Sequence, residues 1–463
     1  MALEHRLSEY IAETPYESIP APVVEMTKLS ILDTVACGLA GSQATGVKEA
    51  VELTLELGGK PESTVMFHGG KISSPYAAFA NSTMCHARDF DDTHDRGVIH
   101  AFINVMPAVL AVSERRGNVS GREIIAACAL GVDLACRMAL AVTFGEGFEK
   151  TRPGFLRTTV CGAFGAAAGA ARALGLDADG VRDAMGIVYS RIGGNKQCVA
   201  DSALVKRMQP AMAAQGGVFS ALLAQRGISG AVNFLEGPYG MFNLYWGGPF
   251  DRNELMTDLG KRYEGMNLSF KPYPSCRHTH GAIEAALEIA RNHSIAADDV
   301  SKVTVHIAKH KFFDNVSRPF AIRGNPQVDA QFSIPYTVGA ALLQKDVFLD
   351  VFEERTIRSP IFQKMAAKVE VVADHDIVPG SLGPVTVEAF TKDGRRYAAH
   401  VNEFKGHPLN PMLREEIIDK FKKCAPLAVQ KYNEDQIVQM IEGVFTLDTL
   451  KTVDELMSLF GSD

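Results

Sequence analysis

The sequence predicts a mostly α-helical protein in which a smaller α+β module is inserted into a large all-helical part. Two observations support this fold class. Apolar residues recur at helical spacing through about the first 265 residues and again after residue 403. Between these parts, apolar and polar residues alternate in three short runs, as they do in half-buried strands. The chain of 463 residues is long enough to bury large cores without a disulfide or a metal.

The first helices are marked by proline and by capping residues. Pro20-Ala21-Pro22 opens a helix that runs to Gly41, with apolar residues at helical spacing between them. Ser120 and Glu123 form the capping-box pattern in front of the apolar run 124–142. These signals predict two long helices.

Two later segments also predict helices. Residues 159–174 are rich in alanine and glycine, which let helices approach closely, so we expect a central and fully buried helix there. Residues 204–228 predict another long helix, with a kink at Pro210.

The pattern changes near Lys271, where the α+β module begins. Apolar residues alternate with polar ones over 303–307, 385–389 and 397–401, which predicts strands. Lys392-Asp393-Gly394-Arg395 predicts a hairpin turn between the last two, because Asp-Gly tolerates the positive φ angles of such turns. The segments of this module that predict helices are 330–343 and 361–368.

The chain returns to helix after Asn410-Pro411, with the proline expected at the first helical position. The predicted helical domain is therefore discontinuous and combines residues 1–268 with residues 403–463. The predicted α+β domain comprises residues 269–402.

Composition and charge exclude several classes of protein. The content of 46% hydrophobic and 22% charged residues is that of a globular protein and excludes a disordered chain. The net charge of −7 argues against nucleic acid as the main ligand, because nucleic-acid binding needs a strongly basic face. The N-terminus has no signal-peptide pattern, and the apolar run 124–132 stops at Asp133, too short for a bilayer. We therefore expect a cytoplasmic protein without a membrane partner.

The cysteines point to the same compartment. Eight of them are scattered along the chain, and none forms a C-x-x-C pair. A disulfide framework or a structural zinc site is not expected from this pattern. Reduced thiols in a cytoplasm are the simplest interpretation.

The densest polar cluster runs from His86 to Asp95, directly after the helix that Pro75 opens, and His100 follows it. Four carboxylates lie within seven residues, where their negative charges repel one another. Such a cluster is typical of a metal site, of ion pairs with basic partners or of a catalytic site.

This cluster has three interpretations. It can be a solvated acidic loop. Asp91-Asp92-Thr93-His94-Asp95 also matches the D-D-x-x-D pattern with which terpene synthases hold magnesium and diphosphate, although the second metal motif of those enzymes is missing. The third interpretation is general acid–base chemistry on a carboxylate substrate, with Asp89 as base and with Thr93 and His100 as hydrogen-bonding groups.

A carboxylate substrate needs positively charged partners, and two segments offer them. Lys206-Arg207 lies in an otherwise apolar segment, where the lysine either extends to the surface or faces a cleft. The run from Lys271 to His280 carries two prolines and many hydrogen-bond donors at the predicted domain junction, where small-molecule sites concentrate. A rigid turn with solvated basic groups is the alternative. No glycine-rich nucleotide loop and no G-x-S-x-G motif occurs in the sequence.

Several of these motifs, in this order, resemble the MmgE/PrpD family, which includes 2-methylcitrate dehydratase, cis-aconitate decarboxylase and iminodisuccinate epimerase. The resemblance covers nearly the whole chain. The motifs that carry it are His86-x-x-Asp89-Phe90-Asp91-Asp92-Thr93, His100 ahead of Pro107, Val160-Cys161-Gly162-Ala163-Phe164-Gly165 and Lys271-Pro272-Tyr273-Pro274-Ser275-Cys276.

The resemblance implies a large helical domain, completed by the C-terminal segment, with an inserted α+β lid domain. It also implies a homodimer that uses no metal and no organic cofactor. The site is expected between the two domains. The residues that the resemblance places there are Asp89, Thr93, His100, Lys206 and Lys271, together with the turn from Cys276 through His278 to His280.

The sequence departs from the family pattern at two places. The decarboxylase branch has a proton-transferring histidine at the position of Cys276, and many relatives have a histidine-proline pair where this chain has Leu156-Arg157. Both differences argue against decarboxylation. Arg157 is either an added clamp for a substrate carboxylate or a surface residue.

The sequence therefore predicts a cofactor-independent lyase of the 2-methylcitrate dehydratase type, acting on a small di- or tricarboxylic acid. Asp89 is the predicted base, and His100 or a histidine of the 278–280 pair is the predicted acid. Lys206, Lys271 and Arg157 are predicted to hold carboxylates. An epimerase of the iminodisuccinate type, with Cys276 as a second acid–base group, is the first alternative. An inactive binding protein on the same fold is the second.

Overall fold

The computed structural model describes residues 2–142, 154–293, 295–309, 313–378 and 380–461. Most of these residues lie in helices. The α-helices before the α+β part are Leu3–Glu13, Ala21–Gly41, Val47–Leu57, Ser74–His86, Phe102–Arg116, Gly121–Ala141, Arg157–Ala173, Ala178–Tyr189, Gln197–Ala200, Gln209–Ala224, Met241–Trp246 and Arg252–Met256. Short 3₁₀ helices in the same part are Tyr16–Ser18, Leu204–Arg207 and Glu264–Asn267. A two-stranded antiparallel ribbon pairs Ser63–Thr64 with Lys71–Ile72.

The α+β part is built around one four-stranded sheet. Its strand order is Val369–Asp374, Val300–Ala308, Val385–Thr391 and Arg396–Val401. The first two strands are parallel, with Val303 opposite Val369, and the other two neighbouring pairs are antiparallel. The α-helices of this part are His280–Asn292, Phe313–Ser317, Pro326–Gln331, Ile334–Gln344, Glu354–Ile357 and Pro360–Ala366, with 3₁₀ helices Arg277–Thr279 and Leu349–Phe352.

Three further α-helices end the described chain. They are Arg414–Cys424, Glu434–Phe445 and Val453–Phe460, with 3₁₀ helices Ala425–Leu427 and Leu447–Thr449 between them. The predicted fold class, mostly helical with a smaller α+β part, is confirmed.

The buried apolar residues form two clusters. The first combines residues from 3 to 270 with Leu349 and with residues from 412 to 460, and the second lies within 282–404. The C-terminal helices therefore pack against the beginning of the chain. The predicted domain boundaries stay a prediction.

Several elements form as the sequence predicts. The helices that begin after Pro20 and at Ser74, the Ala/Gly-rich helix Arg157–Ala173 and the 391–396 hairpin all lie where they are expected. Ser120 accepts a hydrogen bond from the Glu123 main-chain N–H and so caps the helix Gly121–Ala141.

Three predicted helices are wrong in their extent. Pro210 does not kink a long helix: it lies in the first turn of Gln209–Ala224, where its missing N–H costs no helical hydrogen bond. The predicted helix 330–343 is broken at Ser333. The Ser333 side chain accepts a hydrogen bond from the Tyr336 N–H and so caps a separate helix, Ile334–Gln344. Pro411 lies ahead of the helix Arg414–Cys424 rather than in its first turn.

One helix among the described residues, Gly121–Ala141, is long and apolar enough to cross a membrane, and all of its apolar window is buried inside the protein. The long helix predicted over 124–142 is confirmed, but the expectation that its apolar stretch is too short for a bilayer is wrong. The buried charge of Asp133 is compensated within the protein because Arg137 and the Tyr10 hydroxyl bind its carboxylate, at 2.7 and 2.9 Å. Gly121–Ala141 is therefore packed as a core helix, and the cytoplasmic location stays a prediction.

Candidate active site

The side chain of Asp89 lies between two lysines from distant parts of the chain. Asp89 follows the helix Ser74–His86 and adopts a positive φ of 53°. Lys206 donates to its Oδ1 at 2.5 Å, and Lys271 donates to its Oδ2 at 3.2 Å and to its carbonyl oxygen at 2.8 Å. The structure thus brings three of the predicted site residues into direct contact.

Burial and charge act in opposite directions on Asp89. Burial disfavours a charged carboxylate, but the Lys206 and Lys271 ammonium groups outweigh it and hold the pKa of Asp89 well below its usual range. Asp89 is therefore ionised near neutral pH. As long as both lysines stay paired with it, it is a weak base.

The two lysines differ in exposure. Lys206 lies on the short 3₁₀ helix Leu204–Arg207, with 16% of its side chain exposed and its Nζ 5.6 Å from the centre of the Phe332 ring. Lys271 is 1% exposed. A buried ammonium group needs charged or polar partners, and Asp89 supplies them. The alternative interpretations, in which these lysines are solvated surface groups, therefore do not hold.

Asp91 lies between two histidines. Its carboxylate oxygens are 3.0 Å from His86 Nδ1, and one of them is 2.9 Å from His100 Nδ1. The first contact has the geometry of a hydrogen bond, whereas the second has only the distance of an ion pair. Burial lowers the pKa of His86 to about 4, so His86 is neutral at pH 7 and its Nδ1–H donates to Asp91.

His86, Asp91 and His100 are the described residues best placed to hold a metal ion. Their ligand atoms all lie within 4.8 Å of one another. A histidine–carboxylate set of this kind suits several divalent metals. The contacts of about 3 Å between them are those of hydrogen bonds and ion pairs within the protein. The expectation of a metal-free site stays a prediction.

The remaining acidic residues of the cluster have other partners. Asp92 Oδ2 accepts from the main-chain N–H groups of Ala101 and Phe102, where the helix Phe102–Arg116 begins. Burial, together with the neighbouring Asp91 charge, raises the pKa of Asp92 to about 7. Asp95 binds Arg277 and the Ser269 hydroxyl.

These contacts argue against two interpretations of the acidic cluster. Asp89, Asp91 and Asp92 are buried, so the cluster is not a solvated loop. The three aspartates of the D-D-x-x-D pattern are turned to different protein partners instead of converging on one metal. The magnesium–diphosphate interpretation has no support in this geometry.

Thr93 has a buried hydroxyl group with no hydrogen-bond partner among the described residues. Its main chain exchanges hydrogen bonds with that of Ser269, at 2.9 and 2.7 Å. Thr93 therefore lies opposite Ser269, which precedes Lys271 by two residues. Buried hydroxyl groups are normally paired, so an unpaired one beside a charged cluster is suited to bind a ligand.

The turn after Lys271 presents one thiol and two histidines. Cys276 is partly exposed, and burial together with the Asp89 charge raises the pKa of its thiol to about 11. The His278 main-chain N–H is directed at this thiol, and His278 itself is half-buried. The neutral thiol dominates near pH 7, which does not favour Cys276 as a base.

His280 is fully buried, and both of its ring nitrogens are engaged. Nδ1 lies 3.3 Å from Arg277 Nη1, and Nε2 lies 3.2 Å from the Ser275 carbonyl oxygen. Burial and the Arg277 charge hold the pKa of His280 well below its usual range. These contacts favour a structural role, and its predicted catalytic role remains untested.

Arg157 contacts the loop that carries His100. Its Nη1 donates to the Gly97 carbonyl oxygen at 2.8 Å, and the neighbouring Thr158 hydroxyl accepts from the His100 N–H at 3.2 Å. Arg157 therefore supports this loop, and its role as a carboxylate clamp stays a prediction.

Two buried residues contact the main chain of the segments that form the site, and neither of them is among the residues predicted from the sequence. Gln331 donates to the carbonyl oxygens of Arg88 and Pro274, at 2.7 and 2.8 Å, and so ties the acidic loop to the basic turn. Lys420 lies in the helix Arg414–Cys424, beside the face that buries Ile417, Phe421 and Cys424, and it donates to the carbonyl oxygens of Phe90 and Lys271. Only the packing of distant segments reveals either of them.

The comparison with known families agrees with this architecture. Residues 5–253 match the MmgE/PrpD N-terminal domain, and residues 273–444 match the MmgE/PrpD C-terminal domain. The chain belongs to the MmgE/PrpD family. The second match includes the helix Arg414–Cys424, whose buried residues join the first apolar cluster.

Relatives with a named activity match this MmgE/PrpD protein over almost their whole length. It is 26% identical to the cis-aconitate decarboxylase-like protein oryM of Aspergillus oryzae, covering 99% of this chain and 97% of the relative. It is 26% identical to the cis-aconitate decarboxylase of Aspergillus terreus, covering 96% and 92%, and 24% identical to that of Homo sapiens, covering 94% and 90%. A decarboxylase of this kind is a lyase.

Proposed function

We propose that this protein is a cofactor-independent lyase that acts on a small di- or tricarboxylic acid and removes a proton α to a carboxylate. The observation that carries this proposal is the contact of one buried carboxylate, Asp89, with two ammonium groups, Lys206 and Lys271. The unpaired hydroxyl of Thr93 adds a neutral hydrogen-bonding group to the same site.

In this proposal, substrate binding activates the base. Substrate carboxylates bind the Lys206 and Lys271 ammonium groups in place of Asp89. The pKa of Asp89 then rises towards its usual range, because the charges that lowered it are now paired with the substrate. Asp89 becomes a usable base only when a substrate carboxylate is bound, which protects the free enzyme from unproductive proton transfer.

The proposed chemical steps are those of a dehydration. Asp89 takes the α-proton, and the two lysines stabilise the negative charge that grows on the substrate carboxylate. The carbon–oxygen bond at the neighbouring carbon then breaks. His100 gives a proton to the departing hydroxide, so that the products are water and an alkene. Asp91 lies beside this imidazole, with one carboxylate oxygen 2.9 Å from His100 Nδ1.

Decarboxylation is the second proposed reaction, because the relatives described above are named as cis-aconitate decarboxylases. In that reaction a carbon–carbon bond breaks, carbon dioxide leaves, and an acid protonates the remaining carbanion. The thiol of Cys276, neutral at pH 7, stands where the decarboxylase branch is expected to have a histidine.

A screen in deuterium oxide tests these alternatives. The acids are 2-methylcitrate, longer alkylcitrates, cis-aconitate, iminodisuccinate and substituted succinates, and products are read by mass and by NMR. Loss of water with an alkene product supports the dehydratase, and release of carbon dioxide supports the decarboxylase. Deuterium uptake with inverted configuration and no alkene supports an epimerase. Binding without turnover across the panel supports an inactive binding protein.

We also propose that the protein is a homodimer, as the resemblance implies. The helix Gln209–Ala224 leaves Met212 and Phe219 exposed two helical turns apart, on one face. Exposed apolar residues on one helix face suit a protein interface. Light scattering of the purified protein measures whether its mass is that of one chain or of two.

A further inference from the structure

Lys420 is a buried lysine that joins three separate segments of the chain. It lies in the C-terminal helix Arg414–Cys424 and is 4% exposed. Its Nζ lies 2.7 Å from Asp33 Oδ1, 2.8 Å from the Phe90 carbonyl oxygen and 3.1 Å from the Lys271 carbonyl oxygen. An ammonium group has three protons, and each of them has an acceptor here.

Two of these acceptors belong to the main chain of the candidate active site. Phe90 directly follows Asp89, and Lys271 is the residue whose ammonium group binds Asp89. The Lys420 ammonium also lies 3.7 Å from the centre of the Phe90 ring, where the ring face attracts a cation. One side chain therefore holds the backbone of both partners of the Asp89–Lys271 ion pair.

Stability alone is a poor explanation for this arrangement. Burial disfavours both the Lys420 ammonium and the Asp33 carboxylate, and Asp33 Oδ2 has no hydrogen-bond partner among the described residues. An apolar pair of similar size often stabilises a protein as well as a buried ion pair does. What Lys420 adds is two hydrogen bonds to main-chain carbonyl oxygens, which an apolar side chain cannot donate.

We propose that Lys420 is a positioning residue, which holds the main chain at Phe90 and at Lys271 so that Lys271 and Asp89 meet. The proposal rests on the proposed function, because its kinetic effect is expected through Asp89 and Lys271. It assigns a role at the site to the C-terminal helix, which contributes no side chain to the contacts of Asp89 described above.

The test uses the double variant Asp33→Asn/Lys420→Met, which removes both buried charges together. Lys28→Met is the matched control, because Lys28 is a buried lysine of the helix Ala21–Gly41 that is paired with Asp448 at 2.6 Å. Both variants are measured at a temperature where circular dichroism shows the native fold. Kinetics use the acid that the wild-type protein turns over fastest.

The double variant is expected to show kcat lowered by about 10- to 100-fold, because a base displaced by about 1 Å loses roughly that much rate. Its KM is expected to change less than about 3-fold, because Lys206 still binds a carboxylate. The control is expected to keep kcat within about 2-fold. Wild-type turnover in the folded double variant overturns the proposal, and so does an equal loss in the control.

Asp33→Asn alone keeps the proposal testable where the double variant does not fold. This variant leaves Lys420 bound to both carbonyl oxygens, so turnover is expected to stay within about 3-fold of the wild type although stability falls. If Asp33→Asn instead slows turnover by about 10-fold or more, the proposed role of the hydrogen bonds from Lys420 to the two carbonyl oxygens is overturned.

A crystal structure of the double variant separates this proposal from the proposed function. If the wild-type protein turns over none of the acids, the proposed function fails, but the positions of Asp89 and Lys271 can still be compared. The proposal expects the two contacts of Lys271 Nζ with Asp89, at 2.8 and 3.2 Å, to lengthen or to disappear. Unchanged contacts overturn it.

Discussion

The ammonium group of Lys271 donates to both the main-chain carbonyl oxygen and the side-chain carboxylate of Asp89, at 2.8 and 3.2 Å. The two residues are 182 positions apart, and one belongs to the acidic cluster while the other opens the basic turn. This double contact fixes the conformation of Asp89, whose φ is positive, as well as its charge. Substrate binding in the proposed mechanism replaces only the contact with the carboxylate.

Replacing Asp89 with asparagine is expected to lower turnover of the true substrate by about 10²- to 10⁴-fold, because the general base is lost. Lys206→Ala is expected to raise KM and to lower kcat, since its ammonium group binds substrate and stabilises the growing charge. Steady-state kinetics on the acid found in the screen measure both effects.

The matched control for these variants is Asp92→Asn. Asp92 is a buried aspartate of the same cluster, but its carboxylate caps the helix Phe102–Arg116 rather than binding a lysine. Turnover is expected to stay within about 3-fold of the wild type. Full activity in both Asp89→Asn and Lys206→Ala shows that the site is elsewhere.

Asp92 is also expected to make stability depend on pH. Its pKa is about 7 in the folded protein, against 3.8 as its ordinary value. Between these values the folded state binds one proton more than the unfolded state. The free energy of unfolding therefore falls as pH rises from about 4 to 7, by at most about 1.4 kcal/mol per pH unit.

Asp92→Asn removes this contribution and keeps an acceptor oxygen for the Ala101 N–H. Urea unfolding at several pH values between 4 and 8 compares the two proteins. The variant is expected to gain stability relative to the wild type as pH rises. Parallel curves across this range contradict the assigned protonation of Asp92.

Cys276 is expected to react slowly with iodoacetamide. Burial raises its pKa to about 11 from 9.0, and only the thiolate reacts. At pH 8 its thiolate fraction is about 100-fold lower than that of an unperturbed thiol, and the rate is expected to rise about tenfold per pH unit up to pH 10. Mass spectrometry of the Cys276 peptide measures this rate.

The denatured protein is the reference, because there the same thiol has its ordinary pKa. A plateau of the native rate below pH 9 shows instead that Cys276 is an activated thiol. That result strengthens the epimerase alternative, in which Cys276 acts as an acid–base group.

Gly406→Ala is expected to destabilise the protein more than Gly394→Ala. Both glycines have a positive φ, +84° and +86°, so both variants lose about 1–2 kcal/mol to backbone strain. A Cβ atom at Gly406 would lie 1.9 Å from the Phe270 carbonyl oxygen, whereas one at Gly394 would have no heavy atom within 4 Å. The overlap at Gly406 adds roughly 1–3 kcal/mol.

Denaturant unfolding of the two variants measures this difference. Because Phe270 precedes Lys271, Gly406→Ala is also expected to lower turnover, while Gly394→Ala in the hairpin turn leaves it unchanged. Equal stability losses in the two variants show that the chain near Gly406 moves away from Phe270 at little cost.

Local signals explain which elements are predicted correctly and which are not. Periodicity and capping depend on neighbouring residues, so the helices at Ala21 and Gly121 and the 391–396 hairpin follow from the sequence. Pro210 is ambiguous locally, because proline suits a first turn as well as a kink. The burial of Asp133 inside the helix Gly121–Ala141 depends on Arg137 and on Tyr10, which is 123 residues away, so the local pattern does not show how that charge is compensated.

The same distinction applies to the site. The acidic cluster and the basic turn stand out in the sequence because they concentrate titratable residues, and the family resemblance selects Asp89 among them. Gln331 and Lys420 do not stand out, since each acts through carbonyl oxygens of other segments. A hydrogen bond from a side chain to the main chain of a distant segment leaves no local residue pattern, unlike the capping of a helix by Ser120.

The sequence by itself determined the fold class, the family and the segments that carry the polar residues, because these follow from local periodicity and from short motifs. Only the tertiary structure decided which charges meet. Lys206 and Lys271 reach Asp89 across 117 and 182 residues. Burial then sets the balance between desolvation and ion pairing, so Asp89 is charged, His86 is neutral and Asp92 has a pKa near 7. No local pattern contains that balance, because it depends on how distant segments pack.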